Sequence, residues 1–269
     1  MPAKLIFTLL YYLILGYNGF MSALIYSLIS ALVISAISLV GVFSLTFSEK
    51  LLNKVLIWLV SFSAGTLMGG AFFHLLPETL AGQDYYLLSS VYLLVGFCLF
   101  FILERILRWH HCHELGCGTH KFIGQMNLIG DGFHNIIDGL VIVSAFSVSP
   151  ALGVPVTISL AFHEIPQEIG DFGVLLYSGF SKTRALLYNF FTALTALAGV
   201  LIGYFLLDQI DGVNQFLLAF AAGGFIYIAA SDLIPELHKE ENLLKSFFSF
   251  LVFLFGLIFM YLIKLWGVE

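Results

Sequence analysis

Apolar runs of about 20 residues recur along the whole chain, separated only by short polar punctuation, and this pattern narrows the fold more than any other feature. A bilayer hydrocarbon core is about 30 Å thick and takes about 20 helical residues to cross. Inside it every backbone amide needs a partner within the segment, which leaves helices as the structure for runs of this kind. Eight runs qualify: Met21 to Phe47, Val55 to Leu76, Leu87 to Leu103, Phe122 to Phe146, Val154 to Leu176, Ala185 to Leu207, Val213 to Ile234 and Leu243 to Leu265. No polar stretch between them is long enough for a water-soluble domain. With 10% charged residues the chain lacks the polar groups to cover a folded surface in water. The predicted fold class is therefore all-α, a polytopic membrane protein with eight transmembrane helices. A net charge of −6 offers no basic patch for nucleic acid, and three cysteines argue against a disulfide framework.

Basic residues set the expected orientation. Lys50 and Lys54, then Arg105, Arg108 and Lys121, then Lys182 and Arg184, then Lys239 and Lys245 gather in alternate loops, nine of the eleven Lys and Arg. That side is predicted to be cytoplasmic. The opposite loops carry Asp84, Asp208 and Asp211 without a basic residue, so an even helix count places both termini on the outer face. Residues 1–20 hold a short apolar stretch, Leu5 to Leu15, with no small-residue cleavage site after it; they are expected to be a retained, membrane-associated extension. Short loops and the lack of a large soluble domain point to a prokaryotic plasma (inner) membrane.

The apolar runs contain internal echoes. Ala64-Gly65 precedes His74-Leu75-Leu76-Pro77-Glu78, and Ala222-Gly223 precedes Asp232-Leu233-Ile234-Pro235-Glu236 with the same Gly-to-Pro spacing. Phe133-His134-Asn135-Ile136-Ile137-Asp138 in the fourth run is answered by Phe162-His163-Glu164-Ile165-Pro166-Gln167 in the fifth. In each pair one helix runs outward and the other inward. The pattern predicts inverted repeats, helices one to three and six to eight, around central helices four and five. Secondary transporters use this arrangement and bind their substrates near the midplane.

Polar residues concentrate in the two central runs: Asp131, His134, Asn135 and Asp138 in the fourth, and His163, Glu164, Gln167, Glu168 and Asp171 in the fifth. Each carboxylate at a helix centre costs about 2.5–3.5 kcal/mol on insertion scales, so a compensating cation is expected. His134 and Asp138, and His163 and Gln167, are four apart and share a helical face. Imidazole nitrogen with carboxylate oxygen suits zinc, iron, nickel or copper, whereas an all-oxygen cage suits calcium or magnesium. Zinc, manganese, iron and cadmium all stay open.

His74 and Glu78 extend the polar line outward, and Asp232, Glu236 and His238 extend it toward the cytoplasm; they read as an entrance and an exit, with helix capping an alternative for Glu78 and Glu236. Pro166 deprives the Phe162 carbonyl of its helical partner, giving either an incidental bend or a carbonyl aimed at the path. Gly65 to Gly69 and Gly199 to Gly203 are GxxxG spacings read as close helix packing. Residues 104–121, between the third and fourth helices, carry His110, His111, Cys112, His113, Cys117 and His120, donors for a flexible site that captures metal on the cytoplasmic side.

Together these residues resemble the ZIP (Zrt/Irt-like) family of divalent-metal transporters, from about Met21 to the end of the chain: eight helices, a His-bearing loop after the third, HNxxD from His134 to Asp138, and HExPQE from His163 to Glu168. In the subgroup it most resembles the fifth-helix motif usually reads HExPHE, so Gln167 stands in place of a second His and removes one nitrogen ligand. The resemblance implies a transporter domain over residues 21–269, with His134, Asp138, His163 and Gln167 toward one metal. It implies Asn135, Asp138, Glu164 and Gln167 toward a second, where some members add a sixth-helix carboxylate for which the nearby candidate here is Asn189. It also implies movement toward the cytoplasm by alternating access. The metal (Zn, Cd, Fe or Mn) is substrate and no cofactor is expected; the other expected partner is the lipid bilayer, with a homodimer compatible with the chain.

Rival readings make different demands. An intramembrane metalloprotease wants HExxH, and Gln167 occupies the place of its second His. A zinc-dependent lipid hydrolase should hold one zinc with bound water and has no use for inverted repeats. A channel is not separated from a carrier by sequence. Because carboxylates bind metal ionised and imidazoles bind it neutral, uptake is expected to fall below about pH 6.

Overall fold

The computed structural model describes residues 19–45, 47–80, 86–109 and 119–267, which form eight long helices and, among the described residues, no strand. Helix α1 (Gly19–Ile37) passes through a 3₁₀ turn (Ser38–Val40) into Gly41–Ser44. Helix α2 (Glu49–Gly69) continues through a π-helical segment (Gly70–Leu75) into Leu76–Thr79. Helices α3 (Tyr86–Trp109), α4 (Thr119–Val148) and α5 (Pro150–Tyr177) are unbroken. Helix α6 has two parts, Lys182–Ala193 and Thr195–Gln209. Helix α7 (Val213–Tyr227) continues through a second π-helical segment (Ile228–Leu233) into Ile234–Leu237, and α8 spans Leu243–Gly267.

Seven of the eight are long and apolar enough to cross a membrane. The exception, α5, has the length but carries Glu164, Glu168 and Asp171. Four spans differ from the uninterrupted runs expected: α1 tightens at Ser38–Val40, α2 and α7 widen at Gly70–Leu75 and Ile228–Leu233, and α6 breaks at Leu194. At that break the Ser35 hydroxyl donates to the Ala193 carbonyl at 2.8 Å, and the Thr195 hydroxyl donates to the Gly132 carbonyl at 2.8 Å, so α1 bonds the backbone there and a side chain beside it bonds α4. Helices α3 and α4 also run further than expected, to Trp109 and from Thr119. Residues 110–118, with five of the six loop donors, lie outside the described residues, as do residues 1–18.

The inverted repeats account for how the helices pair. Helix α2 packs along α8 and α7 packs along α3, so corresponding helices exchange corresponding partners. The crossing is antiparallel: the body of α7 lies against the π-helical end of α2, and the body of α2 against that of α7. The π segments share a cause. Pro77 and Pro235 have no N–H to donate, and in an α-helix their rings would strike the carbonyl four residues back. Just before each proline the turn widens instead, and the Leu76 N–H bonds the Ala71 carbonyl while the Ile234 N–H bonds the Ala229 carbonyl, both five residues back.

Glycine lets the backbones meet. A Cβ built on Gly65 would lie 2.2 Å from the Phe253 carbonyl oxygen, and one on Gly223 would lie 2.0 Å from that of Leu93. An equally close seam joins α4 to α6, where Gly139 faces the Ala196 carbonyl and Gly199 faces that of Ile136. Both GxxxG pairs therefore lie in helix contacts, as the spacing predicts. Helices α4 and α7 are mostly buried, whereas α3 and α8 turn apolar faces such as Leu94, Phe101 and Phe255 outward.

Candidate metal site

One residue separates α4 from α5. Ser149 is extended (φ −168°, ψ 155°), its hydroxyl accepts the Leu152 N–H, and Pro150 opens α5 with its φ already set for a helix. The chain therefore reverses sharply. His134 lies 15 residues before Ser149 (149 − 134) and His163 lies 14 after it (163 − 149). At about 1.5 Å per residue, both imidazoles reach nearly the same height on antiparallel neighbours.

They meet there. His134 Nε2 and His163 Nε2 are 3.2 Å apart, and His134 Nε2 is 3.5 Å from Glu164 Oε1 and 3.9 Å from Asp138 Oδ2. Donor atoms of His134, His163 and Glu164 all lie within 4.8 Å of one another. Two nitrogens bound to one tetrahedral zinc at about 2.0–2.1 Å sit about 3.3 Å apart. The first two separations are close to that value. Glu164 is fully buried and neither of its carboxylate oxygens has a hydrogen-bond partner among the described residues. An ionised carboxylate so placed is costly unless a cation completes it.

Amides and carboxylates surround this group. Asn135 Nδ2 donates to Asp131 Oδ1 at 2.8 Å, and Gln167 Nε2 lies 3.5 Å from the same oxygen. Asn127 donates to Asp171 at 3.1 Å. The buried Glu168 turns to α6, where it accepts from the Asn189 amide, so that pair is joined directly. Phe100 of α3 sets its ring edge-on to His134, with centroids 6.2 Å apart.

A cavity of about 730 Å³ reaches the site. From His134 and His163 it runs past Asp131 and Gln167 to Asn127 and Asp171, and its far end is walled by Glu104, Tyr177 and Asp232. That end faces the basic loops, since Glu104 precedes Arg105, Tyr177 precedes Lys182 and Asp232 precedes Lys239. The other sequence-predicted path residues lie elsewhere. His74 is buried in the first π segment with Nε2 3.0 Å from the Met260 carbonyl, and Glu78, Glu236 and His238 are exposed; Lys239 pairs with Glu236 at 2.5 Å. His120 belongs to α4, but its side chain, like those of His110, His111, Cys112, His113 and Cys117, lies outside the described residues.

Two wall residues escape a motif-centred reading. Asn127 continues the face of Asp131, His134 and Asp138 one turn earlier, and extending the three-and-four spacing toward the helix start finds it. Glu104, which accepts a hydrogen bond from Tyr227, gives no such signal because its partner is 123 residues away.

With three cysteines in the chain replaced by serine, Val174→Cys is expected to react with a membrane-impermeant maleimide from the basic-loop side only. Val141→Cys, on the buried stretch of α4 beyond Asp138, is expected to stay unlabelled. No reaction at position 174 from either side rules out an open cavity at that end.

Comparison with known proteins gives a consistent result. The sequence model of a family described as "ZIP Zinc transporter" matches residues 21–114 and 109–264. The chain is 31% identical over 223 residues to zinc transporter ZIP13 of Pongo abelii, covering 77% of this chain and 66% of that protein. It is 31% identical over 221 residues to zinc transporter YKE4 of Saccharomyces cerevisiae (70% and 64%). It is also 38% identical over 151 residues to zinc transporter zipt-7.2 of Caenorhabditis elegans (54% and 32%). The chain thus spans between about a third and two thirds of the length of these relatives.

Proposed function

Because the chain belongs to the ZIP zinc transporter family, we propose that it carries divalent transition metals across a membrane through the His134, His163 and Glu164 site, with zinc as the main substrate. The observation that carries this reading is the convergence of two imidazole nitrogens and a buried carboxylate without a hydrogen-bond partner among the described residues, at spacings that suit tetrahedral zinc. Family relatives named for zinc support the choice of metal. Cadmium, iron and manganese are proposed as further substrates, since mixed nitrogen and oxygen donors accept them too.

Movement runs toward the cytoplasm in this reading. Its support is the cavity, which opens from the site toward the loops where Lys and Arg gather, the side the charge rule makes cytoplasmic. Both termini then lie on the outer face. The outward apolar faces of α3 and α8 meet lipid. A prokaryotic plasma membrane as host rests on the short loops alone. The lipid-hydrolase reading is set aside on family membership and on the repeat-related exchange of helix partners, which hydrolysis does not need.

Radiolabelled zinc uptake into vesicles containing the purified chain is the test. Saturable accumulation above empty vesicles is expected, and accumulation equal to that of empty vesicles sinks the reading.

A further inference from the structure

We propose that Asp131 is a positioning residue whose carboxylate turns the amides of Asn135 and Gln167 so that their oxygens face the cation. The inference rests on the metal site proposed above and assigns a task to a residue that this site leaves without one. Asp131 is 5% exposed, and a single oxygen of it, Oδ1, faces both amide nitrogens: Asn135 Nδ2 at 2.8 Å on its own helix and Gln167 Nε2 at 3.5 Å on α5. The Asp131 backbone carbonyl accepts from Asn135 Nδ2 as well, at 3.0 Å.

The chemistry allows one orientation. An ionised carboxylate only accepts hydrogen bonds, and an amide has a donating end and an accepting end. Committing each nitrogen to Asp131 therefore commits each oxygen to the opposite side. Asn135 Oδ1 is buried with no hydrogen-bond partner among the described residues. Gln167 lies one helical turn from His163 and lines the same cavity. Shape alone would not fix either amide, because its two ends are nearly the same size. A cation is repelled by an NH₂ group and bound by a carbonyl oxygen, so the choice decides whether these residues help or hinder.

The need is sharpened by Gln167 itself. An imidazole at that position would offer a nitrogen lone pair, whereas an amide is a ligand in only one of its two orientations. Asp131 supplies the missing instruction, and it does so for one amide on each of the two central helices.

The test exchanges donor and acceptor, with zinc uptake into vesicles measured against zinc concentration. Gln167→Glu keeps an oxygen and adds a negative charge, so on charge alone zinc should bind more tightly. Here it is expected to bind about 10–100-fold more weakly, the usual cost of losing an outer partner, because two carboxylates would face each other without a donor. Asp131→Asn is expected to lose a similar factor, since both amides are then free to turn. The double variant Asp131→Asn/Gln167→Glu restores a donor facing an acceptor at unchanged net charge, while the backbone carbonyl of residue 131 still receives Asn135. Its half-saturating zinc concentration is expected to return close to the parent's. Losses that multiply in the double variant overturn the proposal. So does tighter zinc binding by Gln167→Glu, an outcome that can be read even where Asp131→Asn does not fold. A parent chain that takes up no zinc overturns the metal site itself, and this inference with it.

Discussion

Vesicles carrying His163→Ala are expected to take up zinc at low concentration about 100-fold more slowly than the parent or worse, beyond the 10–100-fold usual for an outer-shell loss. The reason is geometric. His163 Nε2 lies 3.2 Å from His134 Nε2, the spacing of two nitrogens on one zinc, so its loss removes one of the two imidazole ligands. A hundredfold is about 2.7 kcal/mol, a modest demand for one direct zinc ligand. Asp138→Ala is expected to lose less, because Asp138 Oδ2 stands 3.9 Å from His134 Nε2. Cys98→Ser, an exposed position on α3, is expected to match the parent. Unchanged uptake in folded His163→Ala would sink the site.

Much of the fold is legible because the bilayer asks for so little. Length and hydropathy place α7 and α8 to within a few residues, since a span needs only enough apolar residues in a row. The repeats are legible too, as Gly65 and Gly223 precede Pro77 and Pro235 at one spacing. What that spacing does not disclose is the π-helical widening before each proline. A proline announces a lost donor, and the helix can answer it with a kink, a break or an added residue in the turn, which the spacing does not distinguish.

The site divides in the same way. His134 and His163 are legible as partners because each sits near the middle of its run and Ser149 marks the reversal between them. The rotation of a helix about its own axis is harder to read where most faces are apolar, since little in the sequence distinguishes the side turned to lipid from the side turned to a neighbour. Hence His74, aligned with the path by sequence, turns to the Met260 carbonyl on α8, while Glu168, next to the cluster in sequence, reaches Asn189 on α6. Asp131 is visible as a carboxylate in an apolar run. That it faces two amides on two helices emerges only when those helices are packed.

Gly139→Ala is expected to destabilise the detergent-solubilised protein by about 1–3 kcal/mol, although alanine is a better helix former than glycine by about 0.8–1.0 kcal/mol. The added methyl would lie 2.0 Å from the Ala196 carbonyl oxygen and 2.7 Å from the Val200 nitrogen, both backbone atoms that no rotamer change can move aside. Reaching ordinary contact near 3.4 Å means parting α4 from α6 by more than an ångström along the seam that Gly199 shares. A midpoint of thermal unfolding lower by roughly 2–12 °C is the corresponding range for a chain near this size. Asp138 is the adjacent residue, so zinc uptake should fall further than the loss of folded protein explains; a shift of 1 Å in a binding group can cost about a hundredfold. Gly170→Ala separates the two contributions. Its Cβ would meet nothing within 4 Å, so only the gain in helix preference remains and its unfolding midpoint should equal or exceed the parent's. If both variants unfold at the parent's temperature, the α4–α6 seam is looser than these distances require, and the close approach that positions His134 and Asp138 has another origin.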